Sequence, residues 1–232
     1  MPLVTVIVHT YNQEKYIEKA IKSALNQKTD FDYEIIVVDD ASEDSTREII
    51  DRIIMESQGA ITPIYHQTNY FSKGDISFSE EINMAQGDFI SFLDGDDFFL
   101  DENKLQKECD ALRKHPSCVM CSHPVQRIDE YDNPIKDELD DLLYSIFPEK
   151  KEGLMTSNEF AQYYLGRGMC LFQTTSIMIR RSLAEKFLVD YSIYGKYVAT
   201  GYDRRLFYSC IGCGDIYVIL DHFQIKDDSC KR

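Results

Sequence analysis

Residues 33–57, "YEIIVVDDASEDSTREIIDRIIMES", pass from an unbroken apolar run to an acidic turn and then to isoleucines at 49, 50, 53 and 54. A run without alternation is the pattern of a strand buried on both faces, and the isoleucines recur on one side of a helix. The same order precedes it. "LVTVIVHTYN" is a β-branched run ending in polar residues, and Tyr16, Ile17, Ala20, Ile21, Ala24 and Leu25 then share a helical face. It also follows: "ITPIYHQ" reads as a third strand, a helix runs through Ile82 and Ala85, and "DFISFLD" reads as a fourth strand. Strand and helix alternate at about thirty-residue intervals, the repeat of right-handed βαβ units, which predicts an α/β fold with a Rossmann-like, doubly wound, mostly parallel sheet.

In such sheets ligands collect at the carboxyl ends of the strands. Those ends carry Thr10-Tyr11-Asn12, Asp39-Asp40 and Asp94-Gly95-Asp96-Asp97. Asp94, Asp96 and Asp97 repel one another and resist desolvation beside Ile90, Phe92 and Leu93, so the turn calls for a cation. An Asp-x-Asp at a strand end suits Mg²⁺ or Mn²⁺: hard oxygens take one or two positions of an octahedron and leave the rest to diphosphate oxygens and water. An EF-hand would need Gly where Phe99 stands. An acidic turn capping the next helix accounts for Asp101 but not for the triplet. A phosphate-receiver domain would use "IIVVDDAS" as its acidic pair, but Asp40 to Asp94 is too long for one βαβ step and no Met-Pro follows. A haloacid-dehalogenase-like phosphatase would need D-x-D-G-[TV], which "DGDDFF" lacks.

The 232 residues can bury a sizeable core and suit one large α/β domain or two small ones, with one domain the expectation. With 25 Lys and Arg against 40 Asp and Glu, the net charge of −15 argues against nucleic-acid binding through phosphates. The absence of a membrane-length apolar run and of a signal-peptide pattern leads to the expectation of a cytoplasmic protein. Seven scattered cysteines favour reduced thiols over a disulfide framework. Strand alternation would send Cys118 and Cys121 to opposite faces, while Cys210 and Cys213 look more like a metal knuckle, with small buried thiols the competing explanation. After Asp101, expected as a helix N-cap, "ENKLQKECDALRKH" should bury Leu105, Cys109 and Leu112. "SCVMCSHPVQRID" then reads as a strand, residues 129–153 as an acidic surface loop with a short helix, "TSNEFAQYYLGRG" as a helix, "TTSIMIRR" as a strand, and "DRRLFYSCIGCG" as a helix running into the strand "DIYVIL". This half breaks the alternation and should lay a mixed sheet edge onto the first.

The ordered stretches "VTVIVHTYNQEKYIEKAIKSALNQ", "YEIIVVDDASEDST", "NYFSKG", "INMAQGDFISFLDGDDFF", "TTSIMIRRSL" and "GYDRRLFYSCIGCGDIYVI" resemble the family 2 glycosyltransferases of the GT-A fold over nearly the whole chain. The resemblance implies a single GT-A catalytic domain over 1–232, with a nucleotide-binding half (1–100) and an acceptor-binding half (101–232). It implies transfer of a sugar from a nucleotide diphosphate sugar, with UDP expected, to a hydroxyl of a saccharide or lipid-linked saccharide. Inversion, help from Mn²⁺ or Mg²⁺, and a peripheral place at the inner face of the membrane go with that reading. Tyr11 would stack on the base, or pack as a strand-end aromatic, and Thr10 would anchor the base through its backbone. Asp40 would accept the uracil N–H while Asp39 braces the turn. Asp94 would lie near ribose and metal, Asp96 would ligate the metal, and Asp97 would support them. Lys73 would offset phosphate or base charge, or stay solvated, and Gly74 would let its loop close.

The general base falls to Asp203, where Tyr202 replaces the usual Glu and where a helix cap is the alternative role. The tail "FQIKDDSCKR" resembles Tyr-Arg-x-His-x-x-Ser, with Gln224 and Lys226 in place of Arg and His. Those departures motivate the competing class, a nucleotide-sugar-binding module without turnover.

Overall fold

The computed structural model describes residues 1–73, 79–129, 131, 133–136, 145–146, 152–167, 172–194, 206–207, 209–220 and 224–227. The predicted alternation is present in the first half: β1 (Val4–Thr10), α1 (Ile17–Leu25), β2 (Tyr33–Asp39), α2 (Thr46–Glu56), β3 (Ile61–Tyr65), α3 (Ser79–Met84) and β4 (Phe89–Asp94). Next come β5 (Asp97–Phe99), α4 (Lys104–Lys114), β6 (Cys118–Ser122), β7 (Gln126–Ile128), β8 (Pro134–Ile135) and β9 (Glu152–Met155). The chain continues through α5 (Ser157–Arg167), β10 (Ile177–Arg180), α6 (Arg181–Tyr194), β11 (Asp215–Ile219) and β12 (Gln224–Asp227).

The main sheet has the order β3-β2-β1-β4-β10-β6-β11-β9, and a small sheet the order β5-β12-β7-β8. β3, β2, β1 and β4 are parallel, β10 runs antiparallel to both β4 and β6, and β9 runs antiparallel to β11. The central strands are buried on both faces, as their unbroken apolar runs require. Val6, Val8, Ile35 and Val37 share one apolar cluster with Ile21, Ile50 and Leu112 of the helices. Ile7, Ile36, Ile90 and Phe92 share the other with Phe160 and Phe187. Among the described residues no helix is long and apolar enough to cross a membrane.

Five details differ from the expectations, the first being that residues 129–153, read as a loop with a short helix, contain β8, which pairs with β7, and the start of β9. "SCVMCSHPVQRID" is two strands in two sheets, because Pro124 has no N–H for a ladder and the chain turns there. Thr174–Ser176 form a 3-10 turn, so the strand in "TTSIMIRR" begins only at Ile177. The register of β6 against β11 shifts by one residue at Val119, so Cys118 and Cys121 pack into the same cluster instead of pointing to opposite faces. Asp101 is not the N-cap of α4, which is Asn103; its carboxylate accepts from the Asn103 N–H at 2.8 Å and from Lys107 at 2.6 Å.

Position 87 is closed to any side chain. A Cβ there would lie 2.5 Å from Thr5 N and 2.6 Å from Val4 C, both backbone atoms of the central strand β1. Gly87→Ala is therefore expected to cost about 3 kcal/mol or more, seen as a lower urea midpoint at unchanged m-value. A midpoint within error of the parent's would refute this.

Candidate active site

The parallel register brings three strand ends level. Thr10 pairs with Asp39 across β1 and β2, and His9 pairs with Asp94 across β1 and β4. The ladder runs one residue further on each side, with Asp40 N–H donating to Thr10 O at 2.9 Å and Gly95 N–H to His9 O at 2.7 Å. Gly95 is tightly enclosed, since a Cβ would meet Thr10 Cβ at 2.8 Å and Gln13 Oε1 at 2.4 Å and would require both side chains to shift. The turns after β1 and β2 are laced together. Asn12 N–H donates to Ser42 Oγ (2.9 Å), Glu43 N–H to Asn12 Oδ1 (2.8 Å) and Gln13 N–H to Thr46 Oγ1 (2.8 Å). Asn12, at φ 51°, and Ala41, at φ 65°, take the left-handed conformation that these reversals need. Ser42, Asp44 and Thr46 of the polar cluster "DDASEDST" thus spend their side chains on holding the two turns together.

Above these turns opens a cleft of about 590 Å³. Thr10, Tyr11, Asp40, Asp94 and Asp96 all line it. Tyr11 is 42% exposed, so its ring is available to a ligand and is not packed into the core. The side chain of Lys73, and Gly74, Tyr202 and Asp203 altogether, lie outside the described residues. Gln224 and Lys226 pair through β12 with Phe99 and Asp97, so the tail runs beside the strand that leaves the acidic turn. Asp39 and Asp97 are buried. Asp39 is held by Arg47 Nη2 at 2.6 Å and Nε at 3.0 Å, which is the bracing role.

The cleft also contains His9, His66, Glu80 and Glu81, none of which the motifs single out. His9 Nε2 lies 2.9 Å from Glu81 Oε1, and His66 Nδ1 lies 2.9 Å from Asp40 Oδ1. Both histidines follow or end a β-branched run at a strand terminus; that position is the one signal in the sequence that could have found them. Asp40 accepts further bonds from Tyr70 N–H on Oδ1 (2.9 Å) and from Phe71 N–H on Oδ2 (3.0 Å). Burial pushes its pKa up, but the Phe71 and Tyr70 amides and His66 outweigh burial and hold it below the usual aspartate range.

The donor chemistry fits a hard divalent cation. Asp94 and Asp96 offer carboxylate oxygens on one short turn, and no group of three or more His, Cys, Asp or Glu among the described residues could hold a metal. Two carboxylates would supply only part of an octahedral shell, leaving the rest to diphosphate oxygens and water.

Residues 5–188 match the sequence model of glycosyl transferase family 2. The chain belongs to that family. Among its relatives this family 2 chain is 34% identical, over 118 residues, to the putative teichuronic acid biosynthesis glycosyltransferase TuaG of Bacillus subtilis, covering 51% of this chain and 44% of that protein. It spans about a third to a half of the length of the curated relatives it matches. Its fold is similar to that of Staphylococcus aureus TarS 1–349 in complex with UDP, with a TM-score of 0.68 at 21% identity over 97% of this chain and 60% of that one. It is also similar to a mannosyltransferase of Pyrobaculum calidifontis in complex with GDP-Man and Mn²⁺, with a TM-score of 0.64 at 16% identity over 97% and 56%. At those identities the likeness carries the GT-A architecture alone.

Proposed function

We propose that this chain is an inverting glycosyltransferase that moves a sugar from a UDP-sugar to a hydroxyl of a saccharide or lipid-linked saccharide. The observation that carries this reading is the convergence of Thr10, Tyr11, Asp40, Asp94 and Asp96 on one cleft at the carboxyl ends of β1, β2 and β4. Tyr11 stacks on the base, the Thr10 backbone anchors it, and Asp40 accepts its imide N–H. Lys73 offsets phosphate charge from the rim. Asp94 lies by the ribose and, with Asp96, holds Mn²⁺ or Mg²⁺, which when bound neutralises charge on the departing diphosphate. Asp203 takes the proton of the acceptor hydroxyl as its oxygen attacks the anomeric carbon from the face opposite the leaving group, so no covalent sugar–enzyme intermediate forms. Residues 1–100 serve the nucleotide and 101–232 the acceptor within a single domain. The likeness to TuaG, a putative teichuronic acid biosynthesis glycosyltransferase, favours a surface polysaccharide as the product, and a lipid-linked acceptor would bring the protein to the inner face of the membrane.

The departures at Tyr202, Gln224 and Lys226 favour one second reading, a binding module without turnover. Incubating the chain with a panel of UDP-sugars and Mn²⁺ and measuring UDP release decides between them, since a pure binder gives affinity without release.

Asp40→Asn tests the base contact. Whichever way the amide is turned, its NH₂ meets a donor: Phe71 N–H on one side, Tyr70 N–H and His66 on the other. UDP affinity is expected to fall by about tenfold or more. Because the folded pKa of Asp40 is depressed, its contribution to stability is complete above the ordinary aspartate value of about 3.9 and is lost as pH falls through the lower folded value. The melting-temperature deficit of the variant should therefore close in acid. Parental UDP affinity in calorimetry would remove Asp40 from the site.

A further inference from the structure

His66 follows the edge strand β3 and is fixed at three points, by Asp39 at the end of β2, by Asp40 just after it and by Arg47 of α2. Its N–H donates to Asp39 O at 3.0 Å, and its carbonyl accepts from Arg47 Nη2 at 3.1 Å. Its ring meets Asp40 Oδ1 at 2.9 Å. The same Arg47 holds the buried Asp39, so both aspartates of the acidic pair act on this one residue. Tyr70 closes the ring from the side, edge-on at 4.6 Å between centroids. Since an ionised carboxylate only accepts, the hydrogen of this contact sits on Nδ1, and Nε2 is turned toward Glu80 at 3.9 Å.

A carboxylate offers roughly four lone-pair sites. On Asp40, His66 and Tyr70 N–H occupy both sites of Oδ1, and Phe71 N–H occupies one site of Oδ2. The remaining acceptor site is on Oδ2. We infer that His66 is a positioning residue for base discrimination: by saturating Oδ1 it pins the Asp40 carboxylate so that a single Oδ2 lone pair is presented to the imide N–H of a uracil base. A base without that hydrogen, such as cytosine, would set its ring-nitrogen lone pair against the same oxygen. This inference rests on the proposed nucleotide-binding role of the cleft and assigns discrimination between bases to a residue outside the motifs.

The test is calorimetric binding of UDP and of CDP, each with Mn²⁺, to the 232-residue chain and to three variants, with melting temperatures recorded. The parent should prefer UDP. His66→Leu should lose about tenfold in UDP affinity, with the UDP-to-CDP ratio falling toward unity. His66→Asn and His66→Gln form the pair that guards against a mere folding defect. The Asn amide can donate from near the place of Nδ1 and should keep most of the ratio, whereas Gln carries its amide one methylene too far and should lose it. Equal ratios in the Asn and Gln variants, or a parental ratio in His66→Leu at any melting temperature, overturn the role of His66. A parent that binds neither nucleotide overturns the nucleotide reading itself, a result distinct from parental binding with unchanged variants.

Discussion

Replacing Asp203 by asparagine is expected to lower the transfer rate at saturating donor by about a hundred- to ten-thousand-fold while UDP-sugar affinity and melting temperature stay near the parent's. The amide keeps the hydrogen-bonding shape of a helix cap but cannot take a proton from the acceptor hydroxyl, and general-base catalysis is worth about that factor. Loss of a cap costs about 1 kcal/mol of stability and does nothing comparable to turnover. The two roles therefore separate cleanly. Parental turnover would make Asp203 a cap and move the search for the base to Asp97, Glu185 and Asp190.

Asp96→Ala should remove most of the metal dependence of UDP binding, with a loss of about a hundredfold or more in Mn²⁺. Asp40, Glu80, Glu81, Asp94 and Asp96 all line the cleft, so a bare diphosphate meets repulsion from several sides. At about 4 Å and an effective dielectric of about 20, one such charge pair is worth about 4 kcal/mol, and a bridging cation reverses its sign. The substitution also deletes a negative charge, so in chelator the variant should bind UDP at least as well as the parent. This crossing of the two curves distinguishes loss of a metal ligand from general damage. UDP binding by the parent that is equally tight in chelator and in Mn²⁺ would defeat the assignment.

The parallel half of the fold was readable because its signals are local. Ile35–Val38 and Val4–Val8 declare buried strands by composition, and Ile50 and Ile53 declare the inner side of a helix. The cleft was readable in part for the same reason, since Thr10 and Asp94 end recognisable strands and Asp40 and Asp96 lie in the turns just after them. His66 escaped because its partners are set by fold and not by spacing: Asp40 lies 26 residues earlier and meets it only once β2 and β3 are paired. Lys104 and Glu108 were invisible for another reason. A helical pattern counts them as solvent-facing, yet they are fully buried and paired at 2.7 Å, with Lys104 Nζ 3.3 Å from Ser91 Oγ on β4. Burial pushes the Glu108 pKa up, with Lys104 acting against it. The Cys118–Cys121 alternation failed because a single bulge at Val119 resets the period, and no residue type announces it.

The position of β10 sets how the molecule can move. Ile177–Arg180 comes from late in the chain yet lies between β4, which ends at the acidic turn, and β6. The two sequence halves therefore share the backbone hydrogen bonds of one sheet through β10, and a hinge between them would have to unzip β10 from β4 or from β6. Rigid-body opening and shutting, the usual way a two-lobed enzyme admits and releases its ligands, is closed to this architecture. Exchange at the cleft falls to the segments that join the strands, so ligand on- and off-rates should respond to substitutions in those joints and be indifferent to the sheet beneath them.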